Sequence, residues 1–181
     1  QVVHGSGPSQ DSIEVDIIGK SAHAGVHPER GIHAIQIASR AIARMRLGRI
    51  DKETTSNIGI ISGGVAPNII PDRVHMVGEA RSRNILKLRR QVHHMESVLA
   101  QECSRARAHL KLKVSKVYRS FVLKQKTPVM EVAARAISRI GLIPHVMPTG
   151  GGSDAHIFNL DYGIPTAFVG VGSANIHTKQ E

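Results

Sequence analysis

The chain has no tryptophan, and its other aromatics are three phenylalanines and two tyrosines. That leaves little for stacking on nucleic-acid bases. Cysteine occurs once, at Cys103, so an internal disulfide is excluded, and the expectation is a reducing cytoplasm. No long unbroken apolar run is present, which argues against a membrane-spanning helix. No charged-then-apolar leader with a cleavage site is present either, which argues against an export signal. Acidic residues are scarce: 14 Asp and Glu face 24 Lys and Arg, for a formal net charge of +10.

Such a charge raises nucleic-acid binding as a possibility. The basic residues, however, are spread along helical patterns: Arg40, Arg44 and Arg46, then Arg81, Arg83, Lys87, Arg89 and Arg90. No signature of a nucleic-acid module accompanies them. They read as solvated basic faces, or as charge balanced by an acidic segment elsewhere. The partners expected therefore include neither nucleic acid nor membrane.

What is present is a core-forming apolar fraction of 41% in 181 residues, enough for one domain or one and a half. The chain opens on Gln1 rather than Met. Val2-Val3 reads as the end of a strand and Gly5-Ser6-Gly7-Pro8 as a linker. The expectation is a chain that starts inside a larger protein, with residues 1–10 closing an earlier segment.

From there the pattern is regular. Ile13, Val15 and Ile17 alternate with Ser12, Glu14 and Asp16, predicting a strand over 12–19. Pro28 and Glu29 suit a helix start, and Ile32, Ile35, Ala38, Ile42 and Met45 recur at helical steps over 28–47, with Gly48 to close. Strands are predicted over 54–62, 72–81 and 109–118. A helix over 84–107 carries Leu88, Val92, Met95, Leu99 and Cys103 on one stripe. The order β-α-β-β-α-β predicts a ferredoxin-like α+β domain over 11–119: a four-stranded antiparallel sheet with two helices on one face. That fold does not specify a function.

After about 120 the style turns to α/β. Thr127 and Pro128 open a helix that ends at Gly141, Ile143 to Met147 reads as a short strand, and a short helix reaches about Asn159. Residues 164–171 read as a buried strand of the parallel-sheet type. This tail is too small to make a doubly wound sheet alone, so 120–181 is expected to be an incomplete piece.

Several residues carry candidate chemistry, each with a plainer alternative. His23 sits among small residues in the turn after the first strand. There it can point outside its own domain, or be a solvated loop histidine. Asn68 lies in a loop bracketed by Pro67 and Pro71, offering an amide or simply turning the chain. Arg81 ends a Gly-Glu-Ala-Arg-Ser run; its fork suits a carboxylate, or an ion pair with Glu79 on the same side. Gly150, Gly151, Gly152 and Ser153 precede a helix, where backbone N–H groups can meet an anion or polarised carbonyl; they also read as a flexible turn capped by Ser153 or Asp154. His177 follows a glycine-bounded strand and suits a metal, or is a surface histidine near a chain end.

Taken together, and in this order, G-K-S-A-H-A-G, N-I-G-I-I-S-G-G-V-A-P-N-I-I-P-D, G-E-A-R-S, P-T-G-G-G-S-D-A and a late H-T resemble the co-catalytic zinc exopeptidases of the peptidase T, aminoacylase and carboxypeptidase G type. The peptidase T-like subgroup is the nearest match. The resemblance covers nearly the whole chain, yet only the later half of such an enzyme. It implies that 11–119 is a lid and dimerisation domain and 120–181 the closing part of a zinc catalytic domain. It also implies hydrolysis of small peptides or N-acyl amino acids in the cytoplasm, a homodimer, and two zinc ions. His23 matches the lid histidine that reaches the partner's active site, and Asn68 and Arg81 match substrate contacts. Gly150, Gly151, Gly152 and Ser153 match the substrate-binding loop, and His177 a metal ligand. The remaining ligands and the general-base glutamate have no match, so this chain alone is expected to be inactive. The competing reading is a stand-alone ferredoxin-like binding or regulatory module.

Overall fold

The computed structural model describes residues 1–172 and 178–180. Its elements, in chain order, are β1 (Val2–His4), β2 (Ser6–Gly7), β3 (Ser9–Ile18), α1 (Ala34–Arg44), β4 (Gly48–Arg49), β5 (Thr54–Gly63), β6 (Arg73–Ser82), α2 (Ile85–Arg105), β7 (His109–Tyr118), β8 (Phe121–Val122), α3 (Pro128–Arg139), β9 (His145–Val146), α4 (Ala155–Leu160) and β10 (Phe168–Val169). They form two compact units, one of residues 10–117 and one of residues 1–9 with 118–181.

The unit of 10–117 is the α+β domain expected from the pattern. Its sheet runs β4-β5-β6-β3-β7, with β5 antiparallel to both β4 and β6. Strand alternation puts Ile13, Val15 and Ile17 of β3, and Val74, Met76 and Ala80 of β6, on one face, all buried. Both helices cover that face. Ala34, Ile37, Ala38 and Ala41 of α1 join Leu88, Val92, Met95, Val98, Leu99 and Cys103 of α2 in a single apolar cluster. Each large aliphatic chain fully buried there contributes about 1.5–3 kcal/mol. The opposite face carries Asp16, Arg73, His75, Glu79 and Arg81, paired among themselves and with Gln10.

Two details differ from the pattern. Pro28 opens only a 3₁₀ turn over Pro28–Arg30. The chain then straightens so that Ile32 can bridge Lys20, exchanging backbone bonds of 2.8 and 3.1 Å. α1 starts six residues later than expected, capped by the His33 ring, which accepts the Gln36 N–H. Its buried stripe is therefore centred on Ala34, Ile37, Ala38 and Ala41, and Ile32 is not in the helix. The short strand β4 is also added outside β5.

In the other unit, β1 lies between β10 and β9, antiparallel to the first and parallel to the second; β2 pairs antiparallel with β8. Val3, Met130 and Ile137 form its small core. The strand expected over 164–171 shrinks to Phe168–Val169 and is antiparallel to β1, not parallel. Among the described residues it is an edge strand, and Val169 and Val171 are exposed; an apolar run does not by itself name a partner strand. Thr127 caps α3 by position only: its hydroxyl donates back to the Lys124 carbonyl instead of accepting from the helix. Among the described residues no helix is long and apolar enough to cross a membrane.

Candidate functional site

The turn bearing His23 is tied down from both sides. Before it, the Gly19 N–H donates to the Asp72 carbonyl at 2.7 Å. At its tip, the Ala24 N–H donates to the Asn68 carbonyl at 2.9 Å, and the Ile70 N–H donates to the Ala22 carbonyl at 2.8 Å. His23 itself bridges Ile69. The segment 66–70 is thus the clamp on the histidine turn, and the structure brings His23 and Asn68 together on adjoining backbones.

The ring of His23 is exposed, and one of its nitrogens is already engaged: the Gly25 N–H donates to Nδ1 at 3.2 Å. An acceptor nitrogen carries no proton, so the neutral ring holds its hydrogen on Nε2, at the outward end. The turn therefore presents a fixed N–H donor. The Asn68 side chain is exposed beside it.

Arg81 is elsewhere. It lies opposite Thr55 near the far end of β6, about 26 Å along the strand from Arg73 at 3.3 Å per residue. Its fork grips Glu79 with both arms, Nε to Oε1 at 2.8 Å and Nη2 to Oε2 at 2.9 Å, while Gln10 donates to the same carboxylate. The ion-pair alternative is the arrangement present, and the structure does not join Arg81 to the His23–Asn68 corner.

The glycine-rich loop belongs to the other unit. The Thr149 hydroxyl accepts the Gly151 N–H at 3.0 Å, and the Thr149 N–H donates to the Ser6 carbonyl. Gly150 and Gly152 are exposed, whereas the Ser153 hydroxyl is buried with no partner among the described residues. Asp154 caps α4 by position without a side-chain bond. His177 lies outside the described residues. Among the described residues no three His, Cys, Asp or Glu side chains cluster as a metal site.

Residues 9–107 match the family model of the M20-type peptidase dimerisation domain. The chain belongs to that family. Its motif-level resemblance to peptidase T-like proteins is borne out by relatives over almost all its length. The aminopeptidase PepT of Bacillus cereus is 42% identical with a TM-score of 0.83, over 98% of this chain and 47% of that one. A tripeptidase of Staphylococcus aureus is 38% identical with a TM-score of 0.88, over 99% and 48%. The uncharacterized protein YqjE of Bacillus subtilis is 42% identical over 96% of this chain and 47% of its own length. The chain thus spans about half the length of these relatives.

One residue of this dimerisation-domain chain escaped the sequence reading. His156, 1% exposed, lies under the glycine-rich loop. Its Nδ1 lies 2.9 Å from the Ser153 carbonyl and 3.3 Å from the Ser153 N–H, and its Nε2 lies 3.0 Å from the Pro8 carbonyl. The available signal was its place three residues after Ser153, in the first turn of the short helix α4.

Proposed function

We propose that this chain is the later part of a zinc-dependent exopeptidase or amidohydrolase of the cytoplasm, acting on small peptides or N-acyl amino acids. In this reading residues 11–119 are its lid and dimerisation domain, and 120–181 close the catalytic domain. The family membership and the aminopeptidase and tripeptidase relatives support it. The observation that carries it is the His23 turn, clamped by 66–70, with Nδ1 filled by Gly25 and Nε2–H presented outward.

In a homodimer that N–H reaches the active site of the neighbouring subunit. There it meets the carbonyl oxygen of the scissile amide and strengthens its bond as negative charge develops. Asn68, on the adjoining backbone, orients the substrate. Arg81 serves a substrate carboxylate by sharing the fork that now holds Glu79. Gly150, Gly151, Gly152 and Ser153 bind the substrate chain through backbone N–H groups and the unpaired Ser153 hydroxyl. His177 supplies one ligand to a two-zinc centre. The described residues assemble no set of ligands for it; the rest of the centre belongs to the half of such an enzyme that this chain does not span, and in this reading the 181 residues alone are inactive.

The test is His23→Ala in the full-length protein, assayed on tripeptides, dipeptides and N-acyl amino acids. Loss of one preorganised donor lowers kcat about 100-fold or more, and KM changes far less. Turnover that survives the substitution refutes the role.

A further inference from the structure

We infer that His156 is a positioning residue, its imidazole stapling the glycine-rich loop to the strand that leads out of its unit. The inference rests on the reading of that loop as substrate-binding.

The ring is held on every side within the unit of residues 1–9 and 118–181. Nε2 faces the Pro8 carbonyl at 3.0 Å, just where the chain leaves the unit. Nδ1 faces both backbone groups of Ser153, the last residue of the loop. With the proton on Nε2 the ring donates to Pro8 and accepts the Ser153 N–H; with the proton on Nδ1 it donates to the Ser153 carbonyl. Only the Nε2–H tautomer bonds both partners, so it is the one that ties the loop to the strand. Tyr118, where the chain re-enters the unit, packs at a tilt of 45° with 4.3 Å between centroids, and Phe121 packs edge-on at 4.9 Å.

Two glycines make room for this. A Cβ on Gly7 would stand 2.5 Å from His156 Nε2. A Cβ on Gly152 would stand 2.5 Å from Tyr118 Oη. Gly7 thus leaves room for the His156 ring itself, and Gly152 for Tyr118, which packs against that ring. A buried polar side chain is retained in a well-packed site when its bonds are satisfied and specify one arrangement. Here the arrangement specified is the height and tilt of the Gly151-Gly152-Ser153 backbone, whose N–H groups are the loop's chemical content.

The two bonds can be separated. Asn places a polar atom where Nδ1 stands; Gln places one where Nε2 stands. The experiment compares His156→Asn and His156→Gln in the full-length protein, by steady-state kinetics and by amide hydrogen exchange at 151–153. Asn keeps the Ser153 bond but loses the Pro8 bond, so the loop is no longer tied to the strand: exchange at 151–153 rises at least threefold and KM rises with it. Gln keeps only the Pro8 bond, so exchange at 151–153 rises about tenfold and KM about tenfold, with kcat altered less than threefold. If Asn leaves exchange at 151–153 and KM at wild-type values, the Pro8 end holds nothing, and if Gln leaves exchange there unchanged, the Ser153 end holds nothing; either result refutes the staple. A wild-type protein without hydrolytic activity refutes the proposed function instead, and the exchange comparison still decides the staple.

Discussion

At the scale of single residues, Glu102 shows how this basic chain handles a carboxylate in a helix seam. Its side chain is almost fully buried, yet Arg44, Arg105 and Arg40 all reach it from α1 and α2, Arg44 by the shortest contact. The Arg44 hydrogen bond, followed by the charges of its neighbours, holds the carboxyl below its ordinary value of 4.5, against the opposing effect of burial. A lowered folded value fixes the sign: the stabilisation is fully present above about pH 4.5 and is lost as pH falls through the folded value. Glu102→Gln keeps the shape and removes the charge. Thermal unfolding followed across pH should therefore show the variant several degrees less stable at pH 7. The gap should narrow below pH 4.5 until the curves meet in acid. A gap independent of pH would show that shape, and not charge, holds the seam. None of this was legible in the sequence, where Glu102 is one acid on a helix and Arg40 and Arg44 read as a solvated face. The contact spans 58 and 62 residues, and no local period encodes it. The exposure of His23, by contrast, was legible from its company of small residues, but the clamp on it by the Asn68 segment was not. A backbone bond between two loops leaves no mark on side-chain pattern.

Among elements, the pattern succeeded where large aliphatics repeat without interruption. β3, β6 and α2 were readable because Ile13-Val15-Ile17, Val74-Met76 and Leu88-Val92-Met95-Leu99-Cys103 each satisfy one period and no other. α1 was misread at its start because Pro28 and Glu29 satisfy the local rules for a helix, and only the tertiary bridge of Ile32 to Lys20 overrules them. β5 shows a different limit. A bulge falls between Ile58 and Ile60, at Gly59, after which Ile60 and Ile61 are more than half exposed. β4 covers the outer side of β5 only at Thr55 and Ser56. Beyond them the outer edge from 57 to 63 is unpaired among the described residues. An open apolar edge invites pairing with its like across a two-fold axis, and it is the surface we assign to the homodimer. Ile61→Lys places a charge there without touching the helix seam. Sedimentation of the variant should show dimer dissociation at a concentration at least tenfold higher than wild type, with an unchanged unfolding midpoint. A dimer equally resistant to dilution would place the interface elsewhere.

For the whole molecule, the decisive fact is the division of candidate groups between two units: His23, Asn68 and Arg81 in one, the glycine-rich loop in the other. In the sequence, the β-α-β-β-α-β pattern runs without interruption through the first of these units. It gave nothing on which copy of the chain each group serves, because identical chains share one sequence. Complementation answers this. Two full-length variants are co-expressed: His23→Ala, and one inactivated by substitution in the half that precedes this chain. Each homodimer is inactive. In a mixed dimer with exchange across the axis, the intact catalytic half of the first subunit receives the intact His23 of the second, and one of two sites works. Random pairing then restores roughly one quarter of wild-type activity. If His23 served its own subunit, every site in the mixture would lack either the histidine or an intact catalytic half, and no activity would return. Preferred pairing of unlike subunits raises the recovery to at most one half, so a recovery above one half would refute a trans-acting histidine.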